Sequence, residues 1–350
     1  MLRELMLKNF TVFPKANFQF AEGLNVIVGE NGAGKSHILK AAYSIVAVSA
    51  RGERDSGSFT PTKTYLEPAI AKKLRRVFRP DELGRLVRRQ AGRSRCEVEA
   101  KFEWKTLDIS FSFNTASKTE VAVGLVPSKW EGQQPVFLPT RELLTIYPGF
   151  VSLYETTELP FEETWRDTCI LLGAPLARGP RLQAINELLM PLEEQLGGKV
   201  VLDESHFYLK TANGKMEAHL VAEGMRKLAM VARLIATGSL VGTGSLYWDE
   251  PEANLNPKVI KHVAKTILQL AASGIQVFIA SHSLFLLREL DLSVKSDEFK
   301  AVETRFFGLH PDKNGVGVQQ GDTIDDIGKI DALDEELEQS DRDLEVEARS

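Results

Sequence analysis

Leu24-Asn25-Val26-Ile27-Val28-Gly29-Glu30-Asn31-Gly32-Ala33-Gly34-Lys35-Ser36-His37 is the stretch on which the fold turns. The apolar run Leu24 to Val28 reads as a buried parallel strand, and Ser36 to Val48 is apolar at helical spacing. Between them stands G-x-x-x-x-G-K-S, a phosphate-binding P-loop. Its glycines let the backbone curl until several N–H groups face phosphate oxygens, and the following helix adds its positive end. Gly29, Glu30, Asn31, Gly32, Ala33, Gly34 and His37 make up the expected cradle. Lys35 supplies a point charge for the β- and γ-phosphates, and Ser36 a hydroxyl for Mg²⁺.

The chain has 350 residues, 43% of them hydrophobic, enough to bury a sizeable core. A net charge of -5 gives no overall basicity, so any nucleic-acid contact must be local. Two cysteines, Cys96 and Cys169, suggest neither a disulfide framework nor a zinc cluster. The opening residues lack a signal-peptide layout and no apolar stretch approaches bilayer length, so the expected location is the cytoplasm.

Residues 1–28 read as strands, and 49–67, rich in Gly, Ser, Thr and Pro, as an exposed loop. Residues 68–93 read as two short amphipathic helices separated at Pro80. From Lys72 to Arg95 there are ten Lys and Arg against Asp81 and Glu82, a patch suited to phosphate backbone or an acidic partner, or simply a solvated face. Alternation from Cys96 to Val126 predicts a three-stranded antiparallel meander. Val136 to Leu138 is a short strand, and 143–196 reads as helices broken at Pro148, Pro160, Pro175, Pro180 and Pro191. Lys199 to Leu202, Ser205 to Lys210 and Met216 to Val221 read as strands, followed by a helix from Glu223 to about Ala236. Ser245 to Trp248 and Gln276 to Ala280 are buried strands with a helix over 257–273 between them. A short helix over 284–290 and a hairpin from Thr304 to Gln319 follow. The tail from Asp322 carries twelve Asp and Glu against Lys329, Arg342 and Arg349; it reads as a solvated tail, or as a marginal helix on Leu333, Leu337 and Leu344.

Asp249 and Glu250 end an apolar strand downstream of the P-loop, the order a Walker B pair requires. Asp249 would hold Mg²⁺, and Glu250 would polarise the attacking water. His282 follows the next buried strand and is placed to sense the γ-phosphate.

With the P-loop, this pair, Ala253-Asn254-Leu255-Asn256-Pro257 as a D-loop and Ser281-His282-Ser283 as a switch histidine, residues 1–310 resemble an ABC-type ATPase of the RecF/SMC/OLD branch. That resemblance implies an α/β P-loop NTPase with an ABC-ATPase-like mixed sheet core, an antiparallel β subdomain and a helical lobe. It implies one domain over 1–320: 1–142 with a basic insertion at 68–95, a helical and signature lobe at 143–222, and the Walker B part at 223–320, before the tail 321–350. ATP and Mg²⁺ are the implied cofactors, bound in a head-to-tail homodimer that pairs each P-loop with the partner's signature segment. Here that segment is Val221 to Lys227, with Ala222 where a serine is usual; Gly224 and the helix N-terminus remain, and Arg226 or Lys227 offers a donor. Glu142 is the expected Q-loop substitute, with a structural turn as the alternative. Short, proline-broken helices disfavour a coiled-coil arm, and too few residues follow His282 for a Toprim domain. What remains resembles the ATPase subunits of bacterial anti-phage or toxin-effector systems. The implied function is an ATP-driven switch on a separate effector, a nuclease or toxin. The alternatives are a RecF-like DNA-repair ATPase and a structural nucleotide-binding protein.

Overall fold

The computed structural model describes residues 1–90, 92–179, 182–241 and 244–330, with Gln339 and Arg342. The acidic tail beyond Ile330, with Leu333, Leu337 and Leu344, and the break expected at Pro180 lie outside the described residues. In chain order come β1 (Leu2–Phe10), β2 (Phe13–Gln19), β3 (Leu24–Gly29), α1 (Lys35–Ser56), α2 (Lys63–Phe78), β4 (Arg95–Phe102), β5 (Ile109–Asn114), β6 (Ala122–Leu125) and β7 (Val136–Leu138). They are followed by α3 (Tyr147–Thr156), α4 (Glu163–Leu172), α5 (Leu182–Leu196), β8 (Gly198–Asp203), β9 (His206–Thr211), β10 (Gly214–Glu217) and α6 (Glu223–Ala236). The last elements are β11 (Ser245–Asp249), α7 (Pro257–Ala272), β12 (Gln276–Ser281), α8 (Leu284–Val294), β13 (Thr304–Asp312) and β14 (Gly315–Gly321).

A six-stranded mixed sheet, in the order β14-β13-β3-β12-β11-β7, is the centre. β11 and β12 are buried along their whole length, and β3 up to its last residue, as strands covered on both faces must be. Leu24, Val26, Val28, Leu246, Trp248, Val277 and Ile279 face a core shared with α5, α6, α7 and α8. Ile27, Tyr247, Phe278, Ala280 and Phe307 face the opposite core, filled by α1, α2 and the inner face of the second sheet. That second sheet, β2-β1-β4-β5-β6, is antiparallel throughout. The expected meander is its outer half. A third, three-stranded sheet, β10-β9-β8, belongs to the helical lobe. Among the described residues no helix is long and apolar enough to cross a membrane.

Four local expectations are corrected. The P-loop helix does not end at Val48 but runs to Ser56, through the stretch read as loop. Gly52 suits the helix because the Trp130 ring lies where a side chain would begin, 2.2 Å from an ideal Cβ. The helix stops at Gly57, whose φ of 66° and N–H bond to the Glu53 carbonyl form a left-handed cap. Residues 68–93 are not two helices: α2 starts earlier, capped by the Thr62 hydroxyl, carries Pro68 inside it, and gives way after Arg79 to a 3₁₀ turn at Leu83–Leu86. α5 continues through Pro191. The third strand of the helical lobe stops at Glu217 instead of reaching Val221, and a 3₁₀ turn at Ala218–Leu220 leads into α6.

Candidate nucleotide site

Three parallel strands bring the site together. β12 pairs with β3 on one side and β11 on the other, with Ala280 opposite both Ile27 and Asp249. The P-loop, the Asp249-Glu250 turn and His282 therefore leave the same end of the sheet, at the carboxyl ends of neighbouring strands, where open α/β sheets bind ligands. Gly32 and Gly34 have φ of 85° and 92°, and an added Cβ at Gly34 would lie 2.6 Å from Val12. Conformation favours glycine at both positions, and at Gly34 space does as well.

Lys35 curls back over the loop, donating to the Gly29 carbonyl at 2.8 Å and to the Glu30 carbonyl at 3.0 Å. Burial lowers its pKa, against the pull of Glu250, Asp249 and Glu252. The Ser36 hydroxyl donates to Asp249 Oδ1 at 2.9 Å. Burial raises the Asp249 carboxyl above the usual range, opposed by the Ser36 bond and by Lys40. These oxygens fit Mg²⁺, a hard cation that takes one carboxylate and a hydroxyl and completes its shell with water and substrate phosphate. Among the described residues no cluster of three or more His, Cys, Asp or Glu side chains could hold a metal without phosphate.

Glu250 sits at φ 46°, the left-handed region that side chains avoid. Its N–H donates to the Ala280 carbonyl at 2.9 Å, and its Oε1 lies 3.2 Å from His282 Nδ1. His282 is half-exposed, and it is held by a residue the motifs do not mark. Glu252, buried, accepts from the Ser281 hydroxyl at 2.7 Å and weakly from the His282 N–H at 3.4 Å. The only hint in the chain is the second acid of Glu250-Pro251-Glu252.

A cavity of about 180 Å³ opens beside the loop, lined by Gly29, Glu30, Asn31, His282, Gly308 and the C-terminal Lys329 and Ile330. Lys329 was read only as part of the tail. Another unforeseen pair is Lys40, one turn beyond Ser36, with Glu162 at 2.5 Å; both charges act on Asp249.

Not every expected residue faces the site. The His37 ring packs on Phe78 with centroids 5.6 Å apart, and its Nδ1 is buried without a partner. Burial, with Lys40 nearby, pulls its pKa down to about 4, so the ring is neutral. The Glu142 carboxylate, the expected Q-loop substitute, is bonded within its own turn and to Arg226. One of its oxygens accepts from the Leu144 and Thr145 N–H groups, the other from the Thr145 hydroxyl and from Arg226 at 2.8 Å. It is the structural turn, and a buried one.

In the signature segment, Ala222 precedes α6 without a side-chain cap. Gly224 lies under the D-loop, where a Cβ would sit 2.9 Å from the Asn254 carbonyl, and Glu223 accepts from Asn254 Nδ2 at 3.0 Å. Neither expected donor is free for a partner's phosphate. Arg226 is spent on Glu142 and the Val221 carbonyl, and Lys227, 3% exposed, donates to the Glu250 carbonyl. Burial lowers Lys227 to about 8.

The basic stretch is likewise divided. Lys73 points inward, bonded to Glu163 at 2.9 Å and Asp167 at 2.6 Å. Asp167 also accepts from Tyr43, Arg51 and Arg166, so one buried cluster ties α1, α2 and α4. Burial would raise the Asp167 carboxyl, but Lys73, Arg51 and these hydrogen bonds prevail and hold it far below the usual range. Lys72, Arg75, Arg76 and Arg79 line a groove of about 920 Å³ shared with Asp81, Glu155 and Glu158, and Arg76 also reaches Glu163 at 3.4 Å. Lys8 pairs with Glu97 at 3.1 Å.

Comparison with known proteins bears on the family and the fold. Residues 4–79 match a family described as AAA domain, and residues 139–288 match one described as AAA domain, putative AbiEii toxin, Type IV TA system. The chain is 39% identical over 67 residues to the DNA repair protein RecN of Bacillus subtilis (strain 168); the match spans 19% of this chain and 11% of that protein. The SMC head domain from Thermotoga maritima superposes with a TM-score of 0.50 at 14% identity, over 91% of this chain and 97% of that one. An Smc head bound to the C-terminal winged-helix domain of ScpA gives 0.57 at 14% identity, over 92% and 98%. An Smc head with an extended coiled coil, bound to the C-terminal domain of ScpA derived from Pyrococcus furiosus, gives 0.53 at 13%, over 100% and 99%. The fold is that of an ABC-type P-loop ATPase head, and the resemblance to the RecF/SMC branch is borne out.

Proposed function

We propose that the chain is a Mg²⁺-dependent ATPase that closes as a head-to-tail dimer around two nucleotides and thereby switches a separate effector, a nuclease or toxin, in bacterial anti-phage defence. The observation that carries the ATPase reading is the convergence of Ser36, Asp249, Glu250 and His282 at one end of three adjacent strands. In this reading Lys35 leaves the Gly29 and Glu30 carbonyls for the β- and γ-phosphates. Ser36 and Asp249 would hold Mg²⁺, which would supply charge neutralisation to bound phosphate. Glu250 orients and deprotonates the water, and His282 fixes the Glu250 carboxylate. Residues 1–320 act as one domain. Ala222 offers no hydroxyl across the interface, which suits a slow switch more than a motor. The effector role leans on the AbiEii description of the matching family. The test is the mass of the Glu250→Gln chain in solution with and without Mg·ATP. A nucleotide-dependent dimer supports the reading, and an unchanged monomer with bound ATP counts against the sandwich.

A RecF-like DNA-binding ATPase in repair or recombination is the second reading, favoured by the Lys72, Arg75, Arg76 and Arg79 groove and by the likeness to RecN. A gel shift with duplex DNA and ATP separates the two. Charge reversal at Lys72 and Arg79 abolishes the shift if the groove grips phosphate backbone. The neighbouring genes, an effector operon or a recombination cluster, discriminate independently.

A further inference from the structure

We infer that Lys227 is a positioning residue for hydrolysis: from inside the signature helix it holds the Glu250 peptide in the one conformation that turns the Glu250 carboxylate toward His282. The inference rests on the reading of Glu250 as the base. Glu250 adopts φ 46° without being glycine, and Asn254, four residues on, has φ 63°. A left-handed side-chain residue is strained and persists only where its surroundings fix it. Three bonds do so at Glu250. Its N–H is held by the Ala280 carbonyl, which belongs to the sheet. Its carbonyl accepts from Lys227 Nζ at 2.5 Å and, within the turn, from the Ala253 N–H at 3.1 Å. Among the described residues the tie from Lys227 is thus the long-range hold on the carbonyl side, and it comes from a separate element, α6.

The choice of partner is informative. Asp249, Glu250 and Glu252 surround the Lys227 ammonium, yet its bond is to a backbone carbonyl. Those carboxylates stay available, Asp249 to Ser36, Glu252 to Ser281 and Glu250 to His282. The ammonium offsets their mutual repulsion without occupying any of them. The same helix start is fastened to the D-loop at two more points, Glu223 to Asn254 and Gly224 against the Asn254 carbonyl. The signature segment and the Glu250 turn therefore move together. A nucleotide that shifts α6 alters the aim of Glu250 in the same chain.

The test compares Lys227→Met and Lys227→Gln with the unaltered chain. In Lys227→Met, kcat for ATP is expected to fall at least tenfold while KM stays within twofold and nucleotide titration is unchanged. Lys227→Gln, which keeps a donor, recovers part of the loss. Wild-type kcat in Lys227→Met, or KM rising as kcat falls, overturns the assignment. If the Met chain does not fold, Gln carries the same test: lowered kcat at constant KM supports it, and wild-type kcat overturns it. Hydrogen exchange gives a readout independent of turnover. Faster exchange over 250–255 with 29–36 unchanged supports the tie, and equal exchange overturns it. An unaltered chain that binds ATP but never hydrolyses it refutes the role of Glu250, while the exchange result still decides the role of Lys227.

Discussion

The Ser36 hydroxyl reaches Asp249 across 213 residues of sequence, at 2.9 Å. The bond joins the first turn of α1 to the end of β11. The fold itself thus sets the two proposed metal-side residues beside each other.

Lys35→Ala removes the one ammonium that the loop itself carries. Affinity for a non-hydrolysable ATP analogue is expected to fall at least tenfold, since a charged hydrogen bond is worth about 1.5–3 kcal/mol. Calorimetric titration measures it. Retained affinity would remove Lys35 from the phosphate site.

Glu250→Gln keeps the shape of the side chain and loses the base. Single-turnover phosphate release is expected to drop by about 10²-fold or more, the usual range for a general base, with ATP binding intact. Phosphate release at the wild-type rate eliminates Glu250 from the chemistry.

Glu142→Gln distinguishes a turn from a catalytic loop. The carboxylate is committed to Leu144, Thr145 and Arg226. The variant should lose about 1–3 kcal/mol of stability, the cost of weakening hydrogen bonds to a buried charged group. Its kcat should stay near that of the unaltered chain. A collapse of kcat with unchanged stability would restore Glu142 to the nucleotide.

Asp167 sets a pH signature. Its folded pKa lies below the unfolded value, so its contribution to stability is present above about pH 4 and is lost as pH falls toward the folded value. Asp167→Asn leaves Lys73 and Arg51 short of a counter-charge, at a cost of about 3–5 kcal/mol at neutral pH. Urea melts should show that difference narrowing below about pH 4. A difference independent of pH would mean the aspartate acts through shape and not charge.

The sequence and the structure part company where the deciding partner is distant. β11, β12 and α6 are legible because the apolar residues keep one period from end to end. The extension of α1 through Gly52 is not, because what makes glycine necessary there is Trp130, 78 positions away. Lys73 looks like its neighbours in a basic run until Glu163 and Asp167 of α4 arrive beside it. At the site, the P-loop and Asp249-Glu250 carry their chemistry in local pattern. Glu142, Arg226 and Lys227 do not: their partners are set by how α6 docks on the strand ends. The resemblance singles out Val221 to Lys227 as the expected signature segment, but the direction in which its cations turn is not written in the pattern.

β3 lies between β12 and β13, strands made more than 240 residues after it. During translation the phosphate loop therefore emerges on a strand with neither neighbour, and it stays so until the ribosome has passed the Thr304–Asp312 strand. Nascent chains and prematurely terminated products lack the strands that flank the cradle. They also expose an unpaired apolar strand, the segment most in need of shielding by chaperones until the last third of the polypeptide is complete.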